Sequence, residues 1–162
     1  MARGGGRPKP SDGNKVLARN RKARHEYAVD ETCEAGLALV GSEVKSIRDG
    51  KVALVDAYAV IEGNEAWLCE LDIGVYAFAH ARNHDPRRRR KLLLHRSEID
   101  RLAGKVRAKG LTLVPLSLYE KGGRVKVELA LVHGKQDYDR RDDVRKREAE
   151  REIDRAMKSR RR

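Results

Sequence analysis

Apolar and polar residues alternate along several short stretches of this chain, and a period of two predicts β-strands. Residues 52–61 and 66–73 form one pair of such stretches, separated by Gly63 and Asn64, which accept the positive φ angles of a tight turn. The pattern therefore predicts a β-hairpin. In its second strand the alternation places Trp67 on the buried side, so we expect Trp67 to be a core residue and not a platform for stacking.

A second hairpin is predicted further along the chain. Residues 111–119 and 125–132 flank the glycine pair at residues 122–123. In the last strand alternate apolar residues point inward, so Lys126 should point outward. Pro115 lacks an amide hydrogen, which predicts that its strand lies at an edge or carries a bulge.

Two stretches have the spacing of helices. Residues 43–48 follow Ser42, whose hydroxyl can cap a helix, and Lys45 and Arg48 share the outward face of that segment. Residues 97–110 carry apolar side chains on one face and predict a second helix, which begins at Ser97 and ends at a glycine. Two exposed cations on a helix are most often solvated surface. They become relevant to function only if they lie beside the basic loop that begins at Arg87.

The order of elements predicts a mainly β fold: a small antiparallel oligonucleotide-binding (OB-like) barrel with short helices, because strands come in hairpins without strand–helix alternation. We assign this barrel to residues 20–134. Residues 1–19 are predicted to be a disordered basic arm, whose Gly- and Pro-rich start cannot bury apolar surface. Residues 135–162 form a basic tail with a narrow apolar stripe, predicted to be disordered alone and helical when a partner supplies contacts.

The charge of the chain is strongly uneven. The 162 residues carry 37 Lys and Arg against 25 Asp and Glu, a net charge of +12. Residues 1–24 have a net charge of +7 and residues 135–162 of +4, whereas residues 25–134 are nearly balanced at +1. A balanced body with basic appendages is typical of a protein that binds along the phosphates of a nucleic acid.

The balanced body nevertheless contains five consecutive cations, Arg87, Arg88, Arg89, Arg90 and Lys91. Side by side, five like charges are predicted to stay exposed, in an extended loop, unless a polyanion neutralises them. A solvated loop without a partner is the alternative. Because the chain has only one Trp, one Phe and five Tyr, most of them expected in the core, the composition favours folded RNA over sequence-blind binding of single strands.

Other classes of protein fit the sequence less well. Cys33 and Cys69 are far apart, which indicates neither a zinc site nor a disulfide scaffold, and we expect no cofactor and no small-molecule substrate. No apolar run has membrane-spanning length and the N-terminus lacks a hydrophobic signal, so we expect a cytoplasmic protein that does not bind membranes.

An enzyme and a ribosomal structural protein are the alternatives to an RNA-binding factor. A nuclease could use the histidines at positions 80, 84, 95 and 133, and His80 and His84 have a spacing that can hold a metal on a helix. Pro86 follows them, however, and no third ligand has a fixed offset, so we expect no catalytic residues and no metal. A constitutive ribosomal protein would have the same layout of charge.

Several motifs, in order, resemble the SmpB family of SsrA-binding proteins. They are NRKARHEY at residues 20–27, GSEVKSIR at 41–48, RKLLLH at 90–95, GLTLVPLSLY at 110–119, and Gly134 with Lys135 before Asp139, Arg140 and Arg141. The resemblance runs from about Asn20 to the C-terminus. It implies an oligonucleotide-binding barrel that binds transfer-messenger RNA (tmRNA, or SsrA RNA) and brings it to stalled ribosomes for trans-translation, which rescues the ribosome and tags the nascent chain.

The resemblance and the charge pattern together give a set of candidate residues. The predicted RNA-binding residues are Asn20, Lys22, Arg24, His25, Glu34, Lys45, Arg48, Arg87, Arg88, Arg89, Arg90, Lys91, Leu93 and Lys126. Since a carboxylate cannot attract phosphate, we expect Glu34 to accept from base or ribose donors, or to orient a cation such as Lys126.

The resemblance also implies a role for the tail. Gly134, Lys135, Asp139, Arg140 and Arg141 correspond to the segment that occupies the decoding centre and the messenger path of the ribosome. Arg140 stands where many members have lysine, a change that keeps the charge. A tyrosine at position 138 replaces a histidine found in some members, so we assign no proton chemistry there.

Overall fold

The computed structural model describes residues 14–134 and 137–160 and contains two sheets and four α-helices. The strands are β1 (Lys15–Arg19), β2 (Tyr27–Leu37), β3 (Val52–Ala53), β4 (Tyr58–Glu62), β5 (Glu65–Cys69), β6 (Asp72–Ile73), β7 (Arg90–Leu93), β8 (Thr112–Lys121) and β9 (Arg124–Gly134). The helices are α1 (Arg21–Glu26), α2 (Gly41–Arg48), α3 (Arg96–Lys109) and α4 (Asp137–Arg160), and His80–Arg82 form a 3-10 turn.

The large sheet closes into a ring. Its strands follow the order β1-β8-β4-β5-β7-β2-β9, and β8 also pairs with β9, so six strands form a closed antiparallel barrel to which β1 adds outside. Strands β3 and β6 pair separately. Closure leaves the ring without free edges, and the architecture is consistent with the predicted OB-like barrel.

Both predicted hairpins are present. Strands β4 and β5 join through Gly63, and β8 and β9 join through Gly122 and Gly123, all three with positive φ. The strands of the first hairpin are shorter than predicted, because residues 52–61 divide into β3 and β4 and residues 66–73 divide into β5 and β6.

The prediction that Trp67 is a core residue is wrong. Its neighbours Ala66 and Leu68 face the core and are 1% and 0% exposed, while Trp67 lies half-buried on the other face. The guanidinium carbon of Arg89 lies 5.1 Å from the centre of the Trp67 ring, a cation–π contact. The error arises because Glu70, with φ of 56°, interrupts the strand and shifts the alternation of buried and exposed positions. Leu71 and Ile73, beyond Glu70, are buried, whereas Trp67 before it faces outward.

The expected irregularity at Pro115 is confirmed. The pairing of β8 with β9 shifts register between Pro115 and Ser117. On its other side β8 pairs first with β4, at Leu113, and later with β1, at residues 117–120. Pro115 therefore lies where β8 changes from one partner strand to the other. At this position the sheet makes no hydrogen bond that would require an amide hydrogen from residue 115.

Apolar side chains fill the ring and a second, smaller layer. The core includes Leu68 and Leu92 from β5 and β7, and α3 contributes Leu102. A separate cluster lies outside the ring, where Ala23 of α1 packs on Ala130 and other residues of β8 and β9. Helix α1 therefore covers one end of the outer face of these strands and leaves the other end open.

Helices α2 and α3 form where the sequence predicts them, but their caps differ. Helix α2 begins at Gly41, ahead of the predicted cap Ser42, and the Glu43 carboxylate accepts a hydrogen bond of 3.2 Å from the Val40 amide. Helix α3 begins at Arg96, ahead of the predicted cap Ser97. In both helices a glutamate in the first turn satisfies a free amide, so a serine cap is not needed.

The two ends of the chain differ from the predictions. Lys15–Arg19 is predicted to be disordered but forms β1, which pairs with β8; residues 1–13 lie outside the described residues. The tail is predicted to be disordered alone, but Asp137–Arg160 is one helix. Its apolar residues Ile153 and Met157 are 55% and 63% exposed, so the body leaves the stripe uncovered, as expected. None of the described helices is long and apolar enough to cross a membrane.

Candidate nucleic-acid interface

The open end of the outer face of β2, β9 and β8 brings together residues from distant parts of the sequence. Leu93 of β7 lies opposite Gly36 of β2, Gly36 lies opposite Lys126 of β9, and Lys126 lies opposite Tyr119 of β8. Glu34 stands two residues before Gly36 on the same face. We call the surface formed by Glu34, Leu93, Tyr119, Lys121 and Lys126 the sheet face.

Glu34 is held by neighbours on the sheet face. The Tyr119 hydroxyl donates a hydrogen bond to Glu34, and Lys121 Nζ lies 3.4 Å from its carboxylate. The Tyr119 hydrogen bond and the charges of Lys121 and Lys126 lower the pKa of Glu34, although burial opposes them. Burial and this carboxylate raise the pKa of Tyr119, which therefore stays a donor. Glu34 therefore bonds to Tyr119 and Lys121, whereas the sequence predicted that it orients a cation such as Lys126.

Lys126 and Leu93 are available to a partner. Lys126 has no ion pair within the part of the chain that the structure describes, and Leu93 is 55% exposed. A Cβ atom at Gly36 would lie 3.2 Å from Leu93 Cβ, closer than ordinary packing allows. Gly36 therefore lets the Leu93 side chain lie across β2.

Helix α1 extends the polar surface. Arg24 Nη2 lies 3.6 Å from Glu128 Oε2, and Glu128 also accepts a 2.9 Å hydrogen bond from Ser117. Lys22 and His25 are exposed at other points of the helix. His25 lies beside residues 141–145 of α4, and Lys22 lines a cavity below α1.

The predicted RNA-binding role of Asn20 is not supported by its position. Its side chain is buried at 2% exposure, accepts from the Ala23 amide, and donates to the carbonyls of Leu54 and Pro115, each at 3.1 Å. Asn20 therefore caps α1 and holds it against β8, and it has no free polar group to offer RNA. A motif identity does not reveal which of its residues are buried.

The five-cation run is neutralised by the protein itself. Each of its residues makes an ion pair: Arg87 with Glu70 and Asp72, Arg88 and Arg90 with Glu43, Arg89 with Glu62, and Lys91 with Glu65. The expectation of an extended loop that needs an external polyanion is therefore wrong. The acids come from α2, β4, β5, β6 and the turn between β5 and β6, which sequence order does not place beside the run.

Arg90 contradicts the expectation that these cations are exposed. Arg90 and Glu43 are both 0% exposed, and Arg90 also donates to backbone carbonyls, including that of Leu71 at 2.6 Å. Glu43 accepts a second guanidinium, from Arg88 Nη2 at 2.9 Å. Burial alone would raise the pKa of Glu43, but Arg88 and Arg90 outweigh it and lower that pKa. Arg90 is therefore a structural residue, which RNA cannot reach.

Lys45 and Arg48 face outward, as predicted. Arg48 Nη2 pairs with Glu120 at 2.9 Å, at the end of β8. Lys45 Nζ lies 5.4 Å from the centre of the Tyr76 ring and lines a cavity together with Arg88. Only Lys45 thus meets the condition of lying beside the cation run.

The histidines and cysteines do not form a site. His84 is buried, with Nε2 2.9 Å from the Ile73 carbonyl and Nδ1 2.9 Å from the Ser42 hydroxyl, so it fastens α2 to β6. Among the described residues no group of three His, Cys, Asp or Glu is placed to hold a metal ion. Cys69 is buried and Cys33 half-buried, and both are free thiols that fill apolar space.

The sequence did not predict Tyr119 and Lys121 of the sheet face, nor Ser117, which shares their face of β8. Outward alternation along β8 would have found them, because residues 117, 119 and 121 share a face. Of the tail candidates, Gly134 ends β9 and Arg141 is exposed beside His25. Lys135 and the side chains of Asp139 and Arg140 lie outside the described residues.

Comparisons with known proteins agree over most of the chain. The family model for SmpB protein matches residues 17–159. The SsrA-binding protein of Corynebacterium glutamicum (strain R) is 56% identical over 149 residues, which are 92% of this chain and 91% of the relative. The SsrA-binding protein of Mycobacterium sp. (strain KMS) is 58% identical over 144 residues, which are 89% and 86% of the two chains.

A solved structure is similar as well. It is described as "tmRNA-SmpB: a journey to the center of the bacterial ribosome", with a TM-score of 0.64 and 50% identity over 75% of this chain and 86% of that chain. Sequence family, close relatives and fold agree: the chain belongs to the SmpB family.

Proposed function

We propose that this chain binds tmRNA and delivers it to stalled ribosomes for trans-translation. The observation that carries the proposal is the sheet face, on which Glu34, Leu93 and Lys126 meet from three strands that are far apart in sequence. Membership of the SmpB family supports the identity of the RNA, because the relatives are SsrA-binding proteins and the similar solved structure is a tmRNA–SmpB complex on the ribosome.

The chemistry of the sheet face suits folded RNA. Lys126, whose ammonium has no acid partner among the described residues, contacts a phosphate. Glu34, kept ionised by its lowered pKa, accepts hydrogen bonds from base or ribose donors. Leu93 supplies an apolar surface against a ribose or base. The RNA also contacts helix α1, through Lys22, Arg24 and His25.

The cation run plays a smaller part in this proposal. Arg87, Arg89 and Lys91 are exposed enough to meet phosphate, but each must first leave the acid that holds it. Exposed ion pairs of this kind are worth about 0–1 kcal/mol, so the exchange is feasible. Arg88 contributes less because its partner Glu43 is buried.

The tail makes the ribosomal contact. Helix α4 exposes Arg141 and the apolar stripe that ends at Met157. Strand β9 ends at Gly134, so the tail begins directly after the barrel. We propose that Lys135, Asp139, Arg140 and Arg141 lie in the decoding centre and the messenger path, where cations meet phosphate and the stripe meets a groove.

The chain acts by binding and not by catalysis in this proposal, and it acts in the cytoplasm, where the ribosomes are. Both ring nitrogens of His84, the most buried of the histidines, are engaged in holding the fold, which argues against the nuclease alternative. A constitutive ribosomal protein remains the rival, and the two differ in which ribosomes carry the protein.

One experiment separates these functions: recover the full-length protein from cells and sequence the RNA that comes with it. The proposal predicts strong enrichment of tmRNA over ribosomal RNA, and enrichment of the protein on stalled ribosomes. A Lys126→Ala protein should recover less tmRNA, while Lys109→Ala, an exposed cation at the end of α3, serves as the matched control. Ribosomal RNA without tmRNA, in proportion to idle ribosomes, would establish the rival.

A further inference from the structure

The segment between β6 and the cation run carries aromatic side chains that the core does not use. Phe78, the one phenylalanine of the chain, is 77% exposed, and its ring lies edge-to-face with that of Tyr76, with centroids 5.4 Å apart. An exposed phenylalanine costs solvation free energy unless a partner covers it. This finding changes the expectation that the aromatics are needed for the core.

The two rings open onto a cavity of about 770 Å³ between this segment and the start of α2. Its charged lining residues are Lys45, Arg82 and Arg88, and none of the described acids lines it. Lys45 and Arg82 have no ion pair among the described residues, in contrast to the cation run nearby. The cavity therefore combines an exposed aromatic surface with an uncompensated positive charge.

The walls of the cavity are fixed by the fold. The Asn83 side chain accepts from the Tyr76 amide at 2.9 Å and donates to the Tyr76 carbonyl at 2.8 Å, which closes the segment into a loop. His84 ties the base of this loop to Ser42 of α2. A preformed wall reduces the conformational entropy lost when a ligand binds.

We propose that this cavity, the Phe78 cavity, binds one unpaired nucleotide of RNA, with its base stacked on Phe78 and its phosphate at Lys45 and Arg82. Any base can stack on an aromatic ring, and the cationic side chains donate hydrogen bonds to phosphate oxygens, so the pair of features selects a nucleotide over an apolar peptide. The ligand class rests on the proposed RNA-binding function. The Phe78 cavity is separate from the sheet face, since they share no lining residue.

The test titrates the full-length, isotope-labelled protein with an RNA of about four adenylates, and with the same chain made abasic, by NMR. The adenylate should shift the amide resonances of residues 76–83, and the abasic chain should bind at least about fivefold more weakly, the lower end for one stacked base. Phe78→Leu, which keeps an apolar side chain without an aromatic face, should weaken binding as Phe78→Ala does. Phe78→Tyr, which keeps an aromatic ring, should bind the adenylate as the unaltered protein does.

Matched controls lie beside the cavity. Val75→Ala removes a side chain that is 52% exposed outside the lining and should change nothing. Lys45→Gln should lower the slope of log affinity against log salt by about 0.7, and Lys109→Gln should not. Equal binding of the adenylate and abasic chains, or unweakened binding by Phe78→Leu, would overturn the proposal.

Binding of tmRNA separates this inference from the proposed function. Suppose that the unaltered protein binds tmRNA, that Lys126→Ala weakens this binding, and that the adenylate has no effect at millimolar concentration. These results would reject nucleotide binding in the Phe78 cavity but not the proposed function, and Phe78 would then be a contact for a protein. Absence of tmRNA binding by the unaltered protein rejects the proposed function, whatever the short RNA does.

Discussion

Arg90 and Glu43 lie together in the core, both fully buried, with Arg90 Nε 3.2 Å from Glu43 Oε1. Three segments meet at this pair, because Arg90 begins β7, Glu43 lies in the first turn of α2, and Arg90 also donates to the carbonyl of Leu71. A run that reads as an RNA-binding loop is therefore anchored at one of its residues inside the barrel.

Replacing Arg90 should destabilise the protein strongly. Arg90→Met leaves Glu43 with only the partly exposed Arg88 and deprives several carbonyls of a donor, so we expect a loss of about 3–5 kcal/mol in the free energy of unfolding. Urea denaturation measures it. Arg89→Gln, which removes an exposed ion pair from the same run, should cost less than about 1 kcal/mol. Equal, small losses would show that the buried pair does not hold the fold.

The lowered pKa of Glu43 predicts acid sensitivity. A carboxyl whose folded pKa lies below its unfolded value, about 4.3, contributes stability above that value and loses it as the pH falls through the folded pKa. The gap in unfolding free energy between the unaltered protein and Glu43→Gln should be constant at neutral pH and shrink below about pH 4. Denaturation at a series of pH values measures the gap, and a gap that widens in acid would contradict the assignment.

Asn20 should affect stability and not RNA contact. Asn20→Ala removes the α1 cap and leaves the carbonyls of Leu54 and Pro115 unsatisfied, at a cost of about 1–3 kcal/mol. Lys22→Ala, on the exposed side of α1, should leave the unfolding free energy within about 0.5 kcal/mol and weaken RNA binding. If Asn20→Ala instead weakens RNA binding at full stability, its side chain reaches the RNA.

The tail should be separable from the body. Deletion of residues 135–162 should leave the barrel folded, because α4 leaves its apolar stripe uncovered, and should leave tmRNA affinity mostly intact while tagging of stalled chains fails. Ala149→Pro should behave like the deletion, since proline in a helix interior costs about 3 kcal/mol. Ala149→Ser is the matched control and should tag normally. Normal tagging by Ala149→Pro would show that the tail works as an extended chain.

Local patterns predicted the elements and the resemblance predicted the family, but neither predicted which charges meet. The hairpins follow from glycine turns and alternation, and the outward position of Lys126 follows from its strand. The acids that neutralise the cation run are Glu43, Glu62, Glu65, Glu70 and Asp72, and only the tertiary fold brings these separate segments to the run. The sequence shows a run of like charges, whereas the fold places each cation beside an acid.

The same limit explains the errors at single residues. Asn20 stands in a highly charged motif, yet its three hydrogen bonds are to backbone groups that the sequence cannot position. Trp67 was given the wrong face because one residue with positive φ changed the phase of its strand. Glu34 in β2 and Tyr119 in β8 meet because both strands pair with β9, and the sequence does not show which three strands lie side by side.

We propose that the sheet face, more than the cation run, binds the RNA. The measurement is the affinity for the tRNA-like part of tmRNA across a range of salt concentrations, for Lys126→Ala and for the double variant Arg87→Gln with Arg89→Gln. Arg88 and Arg90 stay unchanged, because both pair with the buried Glu43 and their loss would perturb the fold.

Lys126→Ala should weaken binding and lower the slope of log affinity against log salt by about 0.7–0.9, the value for one phosphate contact. The double variant should lower the slope by less than that for each residue removed, because Glu70, Asp72 and Glu62 already neutralise these cations. If Lys126→Ala leaves the dissociation constant unchanged, and each arginine removed lowers the slope by the full value for one phosphate contact, the cation run and not the sheet face binds the RNA.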